Sequence, residues 1–269
     1  YRKKNQKAFF DDYIFGGQYS DYLDSELKTW SFTPRIVTPQ QLFGKPSQIS
    51  IGLDYYNSDY DSDRSLNRST LDSPIHRIHV DQKSTGLYAD STTAITTDTT
   101  INLGARLQWI SQDGRDRFDP NAPGASDKFE SGAADYDDSH RVHMLEAGIE
   151  KQFIASTAAY IKWTRSARVA TVDELFEIDP TSFTRVFSPL DPQTGHGVDL
   201  GTHYRQGRYS ATANAYYMRL KNEIHFNPET FTNVNLDPTE RYGLELDGTV
   251  DINDRVNLQG NYSYLRAKF

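Results

Sequence analysis

The feature that most constrains this chain is an apolar–polar alternation of period two, sustained longer than an ordinary strand requires. Ala159, Ile161 and Trp163 alternate with Tyr160, Lys162 and Thr164. A polar loop follows, carrying Asp173-Glu174-Leu175-Phe176, and the alternation then resumes. Val198, Leu200, Thr202 and Tyr204 are set against Asp199, Gly201, His203 and Arg205. The chain reverses at Gln206-Gly207-Arg208, after which Tyr209, Ala211, Ala213, Ala215 and Tyr217 oppose Ser210, Thr212, Asn214 and Tyr216. Successive side chains of a strand point to opposite faces, so one face meets one environment and the second face another. The unit is strand, long loop, strand, tight turn, strand. What remains to be decided is whether its apolar face meets a core or lipid.

The same unit recurs. Ile49, Ile51, Leu53 and Tyr55 face away from Gln48, Ser50, Gly52, Asp54 and Tyr56. Ile101, Leu103, Ala105, Leu107 and Trp109 oppose Asn102, Gly104, Arg106 and Gln108. Leu145, Ala147 and Ile149 oppose Glu146, Gly148 and Glu150; Tyr242, Leu244, Leu246 and Val250 oppose Gly243, Glu245, Asp247 and Thr249. Val256, Leu258, Gly260, Tyr262 and Tyr264 complete the series. After an opening segment around Lys3–Phe10, the first clear alternation is Trp30, Phe32, Pro34 and Ile36, and a weaker strand is predicted through Gly86–Asp90. A linker, Thr38–Pro46, reverses the chain, and long polar loops are expected from Ser58 to His76, Asp113 to Ser139 and Lys221 to Asn233. Short turns fall near residues 42, 97, 155, 207 and 254, so short and long connections alternate. The expectation is about eleven antiparallel strands in one all-β domain over residues 1–269.

Composition separates the candidates for that domain. With 36% hydrophobic residues, a mean hydropathy of -0.70 and no run near ~20 apolar residues, a helical membrane protein is excluded. A membrane barrel is not excluded, because its polar lumen face dilutes the signal. Aromatics at 13% suit interfacial girdles, and Tyr55, Trp109, Trp163, Tyr217, Tyr262 and Tyr264 lie toward the long-loop ends of their strands. A soluble sandwich has strands of about five or six residues and no reason to gather its long loops at one end. Here the alternation lasts nine residues or more, and the inward set carries Asp54, Arg106, Glu146, Glu150, Lys162, Asp199 and Glu245. These features favour a transmembrane barrel in outer-membrane lipid, with the secreted sandwich as the alternative. An odd number of strands does not close a bacterial barrel, and bare edges invite aggregation, so neighbouring strands are expected outside this sequence. The sequence starts at Tyr1 without Met or a signal-like segment and stops at Phe269 within an alternating run, so the chain is expected to be an internal fragment. The net charge of -8 argues against nucleic acid as a partner. No cysteine is present for a disulfide or thiolate metal site.

Several segments, in order along the chain, resemble the TonB-dependent outer-membrane receptors. Tyr160 to Phe176 resembles the family's strand running into an R-x-P-[ST]-[LV]-x-E-L-[YF] loop, with Asp173, Glu174, Leu175 and Phe176 at its end and Val169-Ala170 where Ala-Pro is commoner. Pro192 to Gly201 resembles P-[EQ]-x-[ST]-x-x-x-E-L-G with Asp199 in the Glu place, and Thr239 to Leu246, holding Gly243 and Glu245, resembles [TA]-x-x-x-G-[VIL]-E-L. Gly86–Asp90 and Asn102–Arg106 resemble two further barrel strands. The resemblance implies a barrel of 22 strands around an N-terminal plug, of which this chain would be part of the wall. It also implies capture of a scarce ligand, most often a ferric siderophore or other metal chelate and sometimes cobalamin, haem or a sugar. Import would be driven by the inner-membrane TonB complex through the plug and TonB box. A passive porin, or a barrel serving as adhesin or assembly partner, is the alternative.

No catalytic constellation accompanies Asp173-Glu174, and no cofactor is expected. Asp59-x-Asp61-x-Asp63 lacks the Gly and Glu of a calcium loop and reads as a solvated acidic loop tip. His76/His79 and His140/His143 are three residues apart, which puts each pair on opposite strand faces and prevents chelation of one metal. Ligand contacts are expected from basic and aromatic side chains on the long loops: Arg115, Arg117 and Phe118; Tyr136; Phe183, Arg185 and Phe187; His225, Phe226 and Phe231. Such groups suit an anionic aromatic chelate through charge-assisted hydrogen bonds and stacking.

Overall fold

Alternation of this length is satisfied by a sheet with a different medium on each side. The computed structural model describes residues 1–14, 17–66, 68–125, 135–178, 185–187, 189–230 and 232–269. Its strands are β1 (Arg2–Ile14), β2 (Gly17–Phe32), β3 (Arg35–Leu42), β4 (Lys45–Ser65), β5 (His76–Ala94), β6 (Thr99–Phe118), β7 (Asp135–Ile154) and β8 (Thr157–Arg168). A one-turn helix, α1 (Val172–Leu175), leads to β9 (Phe176–Ile178) and β10 (Arg185–Phe187). The chain continues as β11 (Gln193–Gln206), β12 (Tyr209–Lys221), β13 (Glu223–Asn227), β14 (Thr232–Leu236), β15 (Thr239–Asn253) and β16 (Val256–Lys268).

Eleven strands form one antiparallel path, β1-β2-β4-β5-β6-β7-β8-β11-β12-β15-β16, and β3 adds to β4 beside it. The small hairpins β9–β10 and β13–β14 lie within the long connections. The register carries the apolar sets across the sheet in rows: Leu53, Leu87 and Leu107 are neighbours, as are Ile101, Ile149, Ile161 and Leu200. On β6 the residues Leu103, Leu107 and Trp109 are exposed, while Ile110, Gln112 and Asp116 on the opposite face are buried. Inner-face residues from β1 to β8 line a single cavity, so the sheet curves around it. Within the charged inner set, Arg106 donates to Asp54 and lies 5.7 Å from the ring of Tyr88.

The strands are longer than alternation alone indicated. β4 has 21 residues, β5 19, β6 20 and β7 20, whereas about 9–11 cross a hydrocarbon layer. Much of the expected loops Ser58–His76 and Asp113–Ser139 is therefore strand rising beyond the lipid. There both faces are polar, and the apolar marker that reveals a strand is lost. Asp59, Asp61 and Asp63 accordingly sit on one face of β4 and not on a loop tip. The expected linker at Thr38–Pro46 is likewise a hairpin turning at Phe43 and Gly44, with φ of 51° and 72°. Pro39 lies in β3, which pairs only with β4, so its missing N–H leaves no gap between two strands.

The opposite strand ends turn tightly at Ala155-Ser156, Gly207-Arg208 and Asp254-Arg255. Arg205 N–H donates to the Ser156 carbonyl at 2.8 Å and Arg208 reaches the Ile252 carbonyl at 2.9 Å, which ties adjacent turns together. At the Thr96–Thr99 turn, the hydroxyls of Thr96 and Thr99 and the Lys151 ammonium donate to Asp98 and hold its carboxyl down at about 2.

Inner-face tyrosines lie across glycines of the neighbouring strand: Tyr88 over Gly52, Tyr160 over Gly201 and Tyr216 over Gly243. A Cβ at any of these glycines would overlap the ring. Gly201→Ala is therefore expected to displace Tyr160 and destabilise the wall by about 1–3 kcal/mol through overpacking. Gly248, with nothing within 4 Å of its Cβ position, serves as the control, and Gly248→Ala should leave stability unchanged. Thermal unfolding followed by loss of the compact electrophoretic form checks both.

Candidate ligand vestibule

Above the lipid-level rows, the inner face encloses a cavity of about 500 Å³. That volume is within the range of small-molecule sites. Its walls are Lys4 and Gln6 of β1, Ser25 and Leu27 of β2, Ser58 and Tyr60 of β4, Gln82 of β5, Gln108 and Ile110 of β6 and Val142 of β7. The chain from Ala167 to Val172 closes one side. Strand parity explains the set: each of these wall residues falls on the face opposite the lipid-facing row of its strand. The polar groups are amides and hydroxyls, with Lys4 and Arg168 as cations and no carboxylate among the described lining residues. Part of the lining is fixed by its own contacts. Gln108 Nε2 donates to Ser84 Oγ at 2.9 Å, and the Thr29 and Ser58 hydroxyls are 3.0 Å apart.

The segment closing the cavity is a strap held from several sides. Arg168 donates from Nη1 and Nη2 to the two Glu174 oxygens at 2.8 and 3.0 Å, the bidentate geometry that makes such pairs strong. Thr171-x-x-Glu174 forms a capping box around α1, with the Thr171 N–H donating to Glu174 Oε2 at 2.8 Å. Burial pushes the Glu174 carboxyl up, but Arg168 and Thr171 outweigh it and hold the group below its ordinary value. Gln112 Nε2 donates to the Ala170 carbonyl at 3.2 Å, and Asn233 Nδ2 to the Glu174 carbonyl at 3.1 Å. Beneath the strap, Ala170, Leu175, Leu190, Ile224 and Tyr136 form a buried apolar cluster with Phe187 against it. Tyr136 and Phe187 stack at 5.4 Å, and Gly114 leaves the space that the Phe187 ring occupies. On the neighbouring hairpin, Arg241 and Thr239 both donate to Glu223.

The residues singled out for ligand contact separate into distinct places. Tyr136, Phe187 and Leu175 converge under the strap, and Glu174 anchors it. Asp173 belongs to α1, Phe176 opens β9 and Arg185 opens β10 by backbone placement. Arg115 and Arg117 share the exposed face of β6 with Leu103 and Trp109, turned away from the cavity, and Arg115 approaches Asp113 at 3.4 Å. Phe118 lies on the inner face with its ring 5.4 Å from His76, whose Nδ1 is 2.8 and 2.9 Å from the oxygens of buried Asp116. His225 and Phe226 are exposed on β13. Gly243 and Glu245 lie on the inner face of β15, at the level of Tyr216 and Asn214. Phe183 and Phe231 fall outside the described residues. Of the histidine pairs, His76 is buried and His79 exposed, on opposite faces as their spacing dictates. Among the described residues, no group of three His, Asp or Glu side chains is arranged to hold a metal ion. The residues that sequence reasoning missed are the neutral ones, Gln6, Ser58, Gln82 and Gln108. Their only signal was parity with the inward face.

A family model described as TonB dependent receptor-like, beta-barrel, matches residues 1–269. No curated protein matches the sequence. Among solved structures, the ferric yersiniabactin uptake receptor FyuA from Yersinia pestis aligns with a TM-score of 0.72 at 13% identity, over 99% of this chain and 39% of that one. The ferric citrate transporter FecA in its unliganded form gives 0.73 at 13%, over 99% and 39%. The copper transporter OprC gives 0.73 at 14%, over 99% and 43%. The chain thus spans about two fifths of the length of these structures. At such identities they establish the shared fold. With the family match over the whole sequence, they lead to one assignment: this chain belongs to the TonB-dependent receptor family and forms outer-membrane β-barrel wall.

Proposed function

We propose that the protein containing this wall captures a metal chelate at the vestibule and imports it with energy from the inner-membrane TonB complex. The long loops and the strand extensions then face the exterior, and the short turns face the periplasm. The observation that carries the reading is the lining: a roofed cavity of amides and hydroxyls with Lys4 and Arg168 and no described carboxylate. Neutral donors match the oxygen atoms on the periphery of a chelate, and a carboxylate-free wall avoids repelling an anionic one. Ferric yersiniabactin, ferric citrate and copper are the cargoes named for receptors of the same fold, which supports a chelated metal as cargo without choosing among them.

Deletion of the full gene should abolish growth stimulation by at least one ferric or cupric chelate under metal limitation, and the intact gene should restore it. Gln82→Leu with Gln108→Leu should weaken binding of that chelate about tenfold by leaving its acceptors unpaired. Equal growth with and without the gene on every chelate tested would sink the reading, as would unchanged binding in the double variant.

The strap is proposed to act as the gate of the vestibule. Arg168→Ala should free it, because Glu174 would lose its bidentate partner while partly buried. Both side chains are partly exposed (39% and 25%), so solvent screening limits the cost to about 1 kcal/mol. Amide exchange over residues 168–176 should accelerate, with the melting temperature of the barrel little changed. The sign of the pH effect follows from the lowered carboxyl. Its contribution is complete above the ordinary glutamate value of 4.5 and is lost as acidification carries the group through its lower folded value. Protection of the strap should therefore fall on acidification below pH 4.5. In Arg168→Ala this acid-dependent loss should shrink, because the partner that holds the carboxyl below its ordinary value is gone.

A further inference from the structure

The vestibule carries less positive charge than its two cations suggest. Both terminal nitrogens of Arg168 are spent on the Glu174 carboxylate, at 2.8 and 3.0 Å, so that pair is neutral as a unit. Lys4 remains. Among the described residues it enters no ion pair, unlike its neighbours Lys3 and Lys7, which pair with Glu26 and Asp24. Lys4 is exposed, so water and salt screen its field. No other charged side chain stands among the described lining residues.

Its hydrogen-bonding capacity is neutral as well. Gln108 is committed to the wall, accepting from Arg106 Nε at 3.2 Å and donating to Ser84 Oγ at 2.9 Å. The side-chain amides of Gln6 on β1 and Gln82 on β5 make no hydrogen bond among the described residues. An amide offers donor and acceptor together, which complements carbonyl and hydroxyl oxygens, whereas a rim of carboxylates or phenolates calls for donors alone. Toward β6, β7 and the strap the lining is aliphatic instead, with Ile110, Val142, Val169 and Val172. Tyr60 is the one aromatic ring among the described lining residues. With Arg115 and Arg117 turned away from the cavity, the arginine-and-aromatic lining that suits an anionic aromatic chelate is not what the described residues assemble.

Granted that the vestibule captures a chelate, we infer that it selects one of zero or single negative charge, with carbonyl or hydroxyl oxygens on one side and alkyl chain on the other. That is the character of a ferric hydroxamate. Three singly charged hydroxamates neutralise a ferric ion, and alkyl spacers between them suit the side formed by Ile110, Val142, Val169 and Val172. Three doubly charged catecholates leave the same ion a trianion. On entry a trianion gives up the hydration of its charge and meets one screened ammonium in return, while a neutral complex gives up little. Gln6 and Gln82 distinguish the two, because they bind oxygen without requiring charge.

The test uses the full-length receptor purified in mild detergent, with Kd measured by titration calorimetry. The probes are two redox-inert gallium chelates, a neutral tris-hydroxamate with alkyl spacers and a trianionic tris-catecholate. The wild type should bind the neutral complex about tenfold more tightly or better. Its Kd for that complex should change less than about twofold between low and near-molar salt. Gln6→Leu with Gln82→Leu should weaken binding of the neutral complex about tenfold. Equal or tighter binding of the trianion, a salt effect of about tenfold on the neutral complex, or unchanged binding in the amide variant would each overturn the assignment while leaving chelate capture in place. The comparison of the two chelates needs only the wild type, so it decides the outcome if the amide variant does not reach its folded electrophoretic form. Should neither probe bind, the chelate that supports growth takes their place, and a charge more negative than minus one overturns the assignment. With no chelate bound and no growth phenotype, the capture reading falls with it.

Discussion

Inside a bilayer no water is available to satisfy an unpaired N–H or C=O, and each such group costs several kcal/mol. The structure meets this constraint with one uninterrupted antiparallel ladder from β1 to β16. Once the strands between β1 and β16 are committed to neighbours on both sides, side chains are left to serve two media. The period of two delivers them automatically, with Leu103, Leu107 and Trp109 to lipid and Arg106, Gln108 and Gln112 to the interior. The constraint also explains why tight turns need little more than a glycine and a few ties between neighbours, as at Gly207 and Arg208.

The ladder continues well past the length that crosses a hydrocarbon layer, and there its inner face carries the proposed vestibule. β4 to β7 carry their inner faces upward into the vestibule, so Ser58, Gln82 and Gln108 are positioned by rigid strands. The proposed gate lies at the rim, where the strap from Ala167 to Leu175 rests against that scaffold. It is bound by the Arg168–Glu174 pair, by single hydrogen bonds to Gln112 and Asn233 and by a small apolar cluster. These contacts are few enough to part without disturbing the ladder, which is what a gate on a rigid wall requires.

The fold was legible wherever one strand face had to be apolar. The alternations at Ile49–Tyr55, Ile101–Trp109 and Val256–Tyr264 all became strands of the expected sheet, and eleven strands lie along its path. Legibility ended where lipid ended. Asp59, Asp61 and Asp63 looked like loop because an extended strand in water has no apolar side to show. The site was legible in part. The Asp173-Glu174-Leu175-Phe176 run was recognisable, but the partner that gives Glu174 its role is fixed by folding, as is the convergence of Tyr136 with Phe187. Arg115 and Arg117 drew attention as charges near a loop, and only their strand parity places them on the outer surface. Neutral amides carry no such signal, and the vestibule is made largely of them.

The tyrosines laid over glycines bear on the shape of the bore. An inward tyrosine standing off a strand would project across the interior and narrow it. Laid flat over Gly52, Gly201 and Gly243, the rings of Tyr88, Tyr160 and Tyr216 are stored within the thickness of the wall. The interior thereby gains ring faces and hydroxyls as a smooth lining at small cost in diameter. Any object that packs or slides there meets a surface with its bulk withdrawn.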